Sequence, residues 1–251
     1  MPHELTPQQA IRYSRQILLQ GFDLECQEKL LDSRALQIGV GGLGCASAQY
    51  LVAAGVGTLT LVDDDVVDSS NLQRQILHSE ADIGELKITS AVNTLKALNS
   101  QCDISAIDQR LSDEQLATQL QQHDVVIDCS DNLATRNQLN RLCYQYKKPL
   151  VSGAAIRMEG QICSFIPSQD TPCYQCLSQL FGEQQLTCVE AGIMAPVVGI
   201  VGSMQALETI KILTGFGETL SSKLMLFDAK YNQWQTFTLK KQPNCPICQH
   251  T

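Results

Sequence analysis

Four glycines within six residues, Gly39-Val40-Gly41-Gly42-Leu43-Gly44, constrain this chain more than any other stretch. They stand between a short apolar strand-like run, Ala35 to Ile38, and a segment of small and apolar residues with helical character. A second strand-like run, Thr58 to Val62, follows and ends on Asp63. Strand, glycine turn, helix, strand and acid, in that order, form the unit that holds the phosphates and ribose of a nucleotide. Gly39 allows the tight turn, Gly41 lets the backbone approach a phosphate, and Gly44 lets the helix pack close to the sheet. Gly42 belongs to the same bend, whose amides face an anion at the helix start. Asp63 ends its strand where a carboxylate can accept from ribose hydroxyls. A glycine turn alone is often only a turn; here both strands and the acid accompany it.

The rest of the chain continues the alternation. Residues 6 to 31 read as helical, broken near Gly21-Phe22-Asp23, with Arg12 and Arg15 three apart and so on one face. Taken alone, those arginines read as a solvated basic edge. Helical pattern returns from Ile83 to Leu98. Strand, helix and strand follow at Ile104 to Ile107, Asp113 to Gln121 and Val125 to Asp128. Another helix reaches about Tyr146, and Pro149 to Ser152 reads as a strand. This order predicts an α/β fold with a Rossmann-like, doubly wound parallel sheet. After Gly153 the rhythm changes. Gly160 to Phe165, Lys223 to Phe227 and Trp234 to Leu239 are strand-like, and no helix separates the last two, so antiparallel strands are expected to extend the sheet. Without repeats or linkers, 1–251 is expected to be one domain, with a nucleotide-binding part (1–152) and a C-terminal part (153–251).

Composition narrows the partners. A net charge of −8 and the absence of Lys/Arg runs argue against nucleic acid. No cationic, apolar leader opens the chain, so secretion is not expected. The longest apolar run, Ile193 to Leu213, is interrupted by Pro196, Glu208 and Lys211 and reads as a buried helix rather than a membrane span. Eleven cysteines scattered through strands and helices suit a reducing cytoplasm with thiols and metal.

Several charged groups follow the carboxyl ends of predicted parallel strands, where such sheets bind ligands. Asp63 is followed by Asp64-Asp65 and by Asn71, Arg74 and Gln75. The strand ending at Asp128 leads into Asp131-Asn132, and Lys87 approaches from its helix. Arg74 and Lys87 suit β- and γ-phosphates, and Asp131 suits magnesium, which favours carboxylate with phosphate oxygens. Singly, each has a plainer reading: Arg74 and Lys87 as exposed charges, Asp131 as a helix cap. A nicotinamide-dependent redox enzyme would use the same glycine turn but needs no such set, and the Walker lysine motif is absent. Attack of a bound carboxylate on the α-phosphorus of ATP fits better, because a carboxylate needs no general base.

Cys173-x-x-Cys176 and Cys245-x-x-Cys248 form two matched thiolate pairs, the ligand set of a tetrahedral structural zinc. Either pair alone would also suit a thioredoxin-like redox site. Cys188, in the polar stretch Gln184 to Glu190, reads either as an acyl-accepting nucleophile or as a bystander. Cys26, Cys45, Cys102, Cys129, Cys143 and Cys163 read as small apolar residues. His78 lies nearest the nucleotide region and reads as a surface or helix-end residue.

These residues together resemble the HesA/MoeB/ThiF family, the ubiquitin-activating-enzyme-like adenylyltransferases of bacterial sulfur transfer, along essentially the whole chain. The signatures are RYSRQILL (Arg12 to Leu19), GVGGLG, SNLQRQ, Asp131-Asn132 and the two C-x-x-C pairs. VSGAAIRMEGQ (Val151 to Gln161) and LTCVEAGIMAP (Leu186 to Pro196) are most similar to the molybdenum-cofactor branch, and the SNLQRQIL segment is similar to the thiamine branch too. The resemblance implies a homodimer binding ATP with Mg2+. The activity it implies is adenylation of the C-terminal Gly-Gly carboxylate of a small β-grasp sulfur carrier, the molybdopterin synthase small subunit or its thiamine-pathway equivalent. It implies that Gly41, Asp63, Asn71, Arg74, Lys87 and Asp131 serve ATP and that Gln75 lies near the phosphates. Arg15 would reach across the dimer to the neighbour's phosphates, and Cys188 would match a loop cysteine used in sulfur transfer by thiamine-branch members. With no rhodanese-like domain after Cys248, a separate sulfurtransferase is expected.

Overall fold

The computed structural model describes residues 4–180 and 191–249. Eight strands form one sheet in the order β3-β2-β1-β4-β5-β6-β7-β8. They are β1 (Arg34–Ile38), β2 (Thr58–Val62), β3 (Asp103–Ile107), β4 (Val125–Asp128), β5 (Leu150–Ile156), β6 (Glu159–Phe165), β7 (Lys223–Asp228) and β8 (Gln233–Thr238). Pairing is parallel from β3 to β5 and antiparallel from β5 to β8, as the change of rhythm after Gly153 predicts. The chain leaves β1 outward through β2 and β3, then returns past β1 to β4. The carboxyl ends of β1 and β4 therefore flank a topological switch point, where open α/β sheets leave a crevice.

Strand alternation sorts side chains onto two helical layers. Leu36, Val126 and Leu150 pack with Leu116, Leu120 and Leu139 of α6 (Asp113–Gln122) and α7 (Leu133–Gln145). Ala35, Val125, Ile127 and Val151 face the layer of α4 (Gly42–Ala54), α5 (Lys87–Leu98) and α9 (Ala195–Thr214). Left-handed glycines end two of these helices, Gly55 after α4 and Gly215 after α9. A capping box of Ser112 and Gln115 starts α6.

The N-terminal region differs from the two-helix expectation. It forms α1 (Pro7–Arg12), α2 (Ser14–Ile17) and α3 (Asp23–Asp32), because Tyr13 leaves the helical conformation and is buried. The Tyr13 hydroxyl accepts from Asn99 Nδ2 at 3.0 Å. Arg12 and Arg15 thus belong to separate turns, and Arg12 is tied to Leu98 O at 2.6 Å. The α5 helix starts at Lys87, not Ile83, since Gly84 is left-handed and Leu86 bridges to Val66. The short α8 (Tyr174–Ser178) follows β6.

Helix α9 has the length and apolarity of a membrane span, but it packs on α4 and across β4, β5 and β6. Val197, Val198, Val201 and Ala206 are buried in that layer, and Glu208 accepts from Ser164 Oγ at 3.0 Å and pairs with Lys211 at 2.7 Å. The two helices cross closely at Gly202, where a Cβ would lie 2.2 Å from Leu43 O. In an exposed helix Gly→Ala gains about 1 kcal/mol. Here the sign reverses: Gly202→Ala is expected to destabilise by about 1–3 kcal/mol through overpacking. Urea unfolding checks this, and an unchanged or higher midpoint would contradict so close a crossing.

Candidate active site

A cavity of about 1490 Å³ opens at the switch point and gathers most of the residues singled out in the sequence. Gly39, Gly41 and Gly42 form its floor; Asp63 and Asp65 line one wall with Asn71, Arg74 and Gln75. Lys87 enters from α5, and Asp131 and Asn132 close the side after β4. Gly44 stands behind the floor, where a Cβ would meet Gly39 O at 2.1 Å. Gly39 itself has φ +97°, and a Cβ there would lie 2.7 Å from Cys129 O. At Gly41 the nearest atom to such a Cβ is Gln75 Nε2 at 3.7 Å, so its backbone faces open space.

Asp63 does more than the sequence shows. Its carboxylate accepts from Val40 N at 2.6 Å and from Asp65 N at 2.9 Å, fastening the glycine turn while still lining the cavity. Burial raises its pKa, against the lowering pull of those two amides. Lys87 Nζ pairs with Asp65 Oδ2 at 2.8 Å; the lysine side chain is 6% exposed and that of Asp65 63%. Arg74 is folded onto its own turn, donating to Ser70 O at 3.1 Å and Asn71 Oδ1 at 2.9 Å. Gln75 is buried, and its Oε1 has no hydrogen-bond partner among the described residues. Asn132 caps α7 by accepting from Thr135 N at 2.9 Å. That leaves Asp131 exposed to the cavity, with no hydrogen bond or ion pair tying its carboxylate to the described residues. The helix-cap reading of Asp131 therefore transfers to its neighbour. A free carboxylate facing a space for phosphate oxygens fits magnesium.

His78 corrects the surface reading. It is buried, with Nδ1 2.9 Å from Ser90 Oγ and Nε2 3.3 Å from Val40 O. A carbonyl only accepts, so Nε2 carries the proton and Nδ1 accepts from the serine. Burial pulls the pKa of this histidine down and keeps it neutral. The sequence gives no sign of this role, nor of Arg136 and Gln205, which brace the turn after β4. Asp128 at the end of β4 was visible only as the last residue of a strand.

Beyond the glycine turn the cavity continues over the antiparallel half of the sheet, past Arg157, Gln161, Leu226, Gln233 and Gln235. Arg15 is exposed on α2 and does not line the cavity of its own chain. Cys188 and the stretch around it lie outside the described residues.

The four paired cysteines come together as expected. Their sulfurs all lie within 4.8 Å of one another, with Cys173 to Cys245 at 3.6 Å and Cys176 to Cys248 at 3.4 Å. Zn–S bonds of about 2.3 Å in a tetrahedron put sulfurs about 3.8 Å apart, so the set can hold zinc. Amides already approach the sulfurs, Gln242 N to Cys176 at 3.3 Å and Asn140 Nδ2 to Cys173 at 3.7 Å. Burial pushes the Cys173 thiol up to about 11 and raises Cys248 further, whereas backbone amides outweigh burial at Cys245 and lower it. Four thiolates packed this tightly call for a cation. The other described cysteines are buried among apolar residues, and burial raises Cys45 and Cys102 to about 12.

Comparison with known proteins agrees with this geometry. The model of the ThiF family matches residues 13–247. The chain is 53% identical over 245 residues to the molybdopterin-synthase adenylyltransferase of Escherichia coli K12, covering 98% of both chains. It is 45% identical over 238 residues to the sulfur carrier protein ThiS adenylyltransferase of the same organism, covering 95% of this chain and 94% of that one. A solved structure of E. coli MccB with ATP shares the fold, with TM-score 0.81, 23% identity, and coverage of 94% of this chain and 74% of that one.

The metal set yields a direct test. Purified protein is expected to carry one zinc per chain by elemental analysis. Cys176→Ser should lose the metal and lower the unfolding temperature, because a zinc held by the four sulfurs would tie residues 173–176 to 245–248. A metal-free preparation that melts like the zinc-loaded one would contradict the structural role.

Proposed function

The chain belongs to the ThiF family, and from that premise we propose that it adenylates the C-terminal glycine of a small β-grasp sulfur carrier of molybdopterin synthesis, releasing pyrophosphate. It is an adenylyltransferase, hence a nucleotidyltransferase, and the adenylyltransferase relatives decide against the redox alternative. The observation that carries the reading is the single cavity joining the glycine turn, Asp63, Arg74, Lys87 and Asp131 to an open passage over β6 to β8.

The chemistry follows from those positions. Asp63 accepts from the ribose hydroxyls, and the amides of the glycine turn with Arg74 and Lys87 neutralise the phosphates. Arg74 and Lys87 are already paired to Asn71 and Asp65, which holds them in place before the nucleotide arrives. The carrier's tail lies along the passage, and its carboxylate oxygen bonds to the α-phosphorus while the bond from that phosphorus to the bridging oxygen breaks. Pyrophosphate leaves and the tail becomes an acyl-adenylate. Because the nucleophile is already an anion, positioning and charge neutralisation are the protein's task. Magnesium, held by Asp131 and phosphate oxygens, would supply further neutralisation of the leaving group. Arg15 lies outside its own cavity, which fits a homodimer in which this arginine serves the second copy's phosphates. The cysteine set fits zinc, and a reducing cytoplasm suits its thiolates. A thiamine-pathway carrier is the second reading, favoured by the ThiS-adenylating relative.

ATP–pyrophosphate exchange tests the activity. Exchange should require a Gly-Gly-ended carrier and run faster with the molybdopterin carrier than with the thiamine carrier; carrier-independent exchange would count against the reading. Arg74→Ala and Asp131→Ala should each lower exchange by about 10²-fold or more, the scale of losing one charge-stabilising group. Wild-type rates in either would remove that residue from the site.

A further inference from the structure

The turn that carries Asp131 is held from beneath by side chains with no part in the proposed chemistry. Asp128, 1% exposed at the end of β4, accepts through Oδ1 from Ser130 N at 3.0 Å and Ser130 Oγ at 2.6 Å. Its Oδ2 accepts from Ser152 Oγ at 3.0 Å on the neighbouring strand. Gln205 comes from the opposite layer, on α9, and donates Nε2 to Asp128 O at 2.7 Å. It passes through the space left by Gly153, where a Cβ would lie 2.5 Å from the Gln205 amide carbon. Arg136, 8% exposed early in α7, donates Nη2 to Ser130 O at 2.9 Å and to Gly153 O at 3.1 Å, and it shares a hydrogen bond with Tyr174.

Carboxylate, amide and guanidinium thus fix the main chain on both sides of Cys129 and up to Ser130. Asp131 is the next residue; its carboxylate makes no hydrogen bond or ion pair with the described residues, although the Arg136 guanidinium lies within its electrostatic reach. Its direction is inherited from the braced turn. Burying an acid and a guanidinium is costly when the only return is a turn that apolar packing could also hold. The cost is intelligible where one carboxylate must meet a ligand in one orientation, as outer residues do around metal ligands.

We propose that Asp128, Arg136 and Gln205 are positioning residues for Asp131, locking the turn so that its carboxylate points into the nucleotide cavity before ligand arrives. This rests on the nucleotide reading above, and the test separates the two. Magnesium–ATP is titrated calorimetrically into the full chain as wild type, Arg136→Lys, Ser152→Ala, Asp131→Asn and the doubles with Asp131→Asn. Both carbonyl bonds come from one guanidinium nitrogen, Nη2, and a lysine keeps the charge but loses the other guanidinium nitrogens and with them the hold on Tyr174. Asp131→Asn and Arg136→Lys should each weaken binding about 10–100-fold. Ser152→Ala, which removes one of the bonds to Asp128, should fold normally and weaken binding by a smaller factor. Acting through Asp131, neither change should add materially to the loss already caused by Asp131→Asn. Without ligand, amide hydrogen exchange at residues 129–132 should quicken in Arg136→Lys and Ser152→Ala while the zinc segment stays unchanged. Wild-type affinity in both brace variants, or losses that multiply with Asp131→Asn, would overturn the proposal. Wild-type affinity in Asp131→Asn would remove Asp131 from the site and overturn the proposal with it, whereas failure of the wild-type chain to bind magnesium–ATP would overturn the nucleotide reading.

Discussion

Two backbone turns meet at the switch point of the sheet, and their closeness is the constraint on which the site depends. The turn after β1 lies against the turn after β4, so near that a Cβ on Gly39 would sit 2.7 Å from Cys129 O. Within the first turn, a Cβ on Gly44 would sit 2.1 Å from Gly39 O. Only glycine permits both approaches, and Gly39 also needs its positive φ. The result is a floor of main-chain amides beside the Asp131 carboxylate, with Arg74 delivered from the loop after β2 and Lys87 from the start of α5.

Polar groups buried around this floor keep it from relaxing. Val40 is held from both sides, its amide by Asp63 and its carbonyl by His78. The turn after β4 is held by Asp128, Arg136 and Gln205. Both braces cross between elements distant in sequence, and the one after β4 draws on both helical layers, through Arg136 on α7 and Gln205 on α9. The four-cysteine set extends the same logic to the antiparallel half. Asn140 accepts from Tyr174 N at 2.8 Å and approaches Cys173, linking the cysteine pairs to α7, the helix that also carries Arg136.

Much of this was legible in the residues because it is local. The glycine turn, the acid ending β2 and the change from parallel to antiparallel strands are each written within a few neighbouring positions. The cysteine pairs are equally plain, since spacing alone makes each a chelating hairpin. Less was legible where tertiary contacts decide. Tyr13 breaks the first helix because its ring packs against Gly55 and its hydroxyl meets Asn99. His78 resembles any surface histidine until Val40 and Ser90 arrive from elsewhere in the chain. Gln205 sits in an apolar helix with nothing to mark it, and its partner atoms lie 77 residues earlier.

On the proposed reading, this cavity orients ATP with its innermost phosphorus toward the passage over the antiparallel strands. A crystal structure of the chain with magnesium and an ATP analogue that cannot be cleaved between the α- and β-phosphorus tests it most directly. Ribose hydroxyls should lie on Asp63, outer phosphates on Arg74 and Lys87, and the α-phosphorus should face the space beside Gln161 and Leu226. A nucleotide lodged elsewhere, or one whose phosphates touch neither Arg74 nor Lys87, would contradict it.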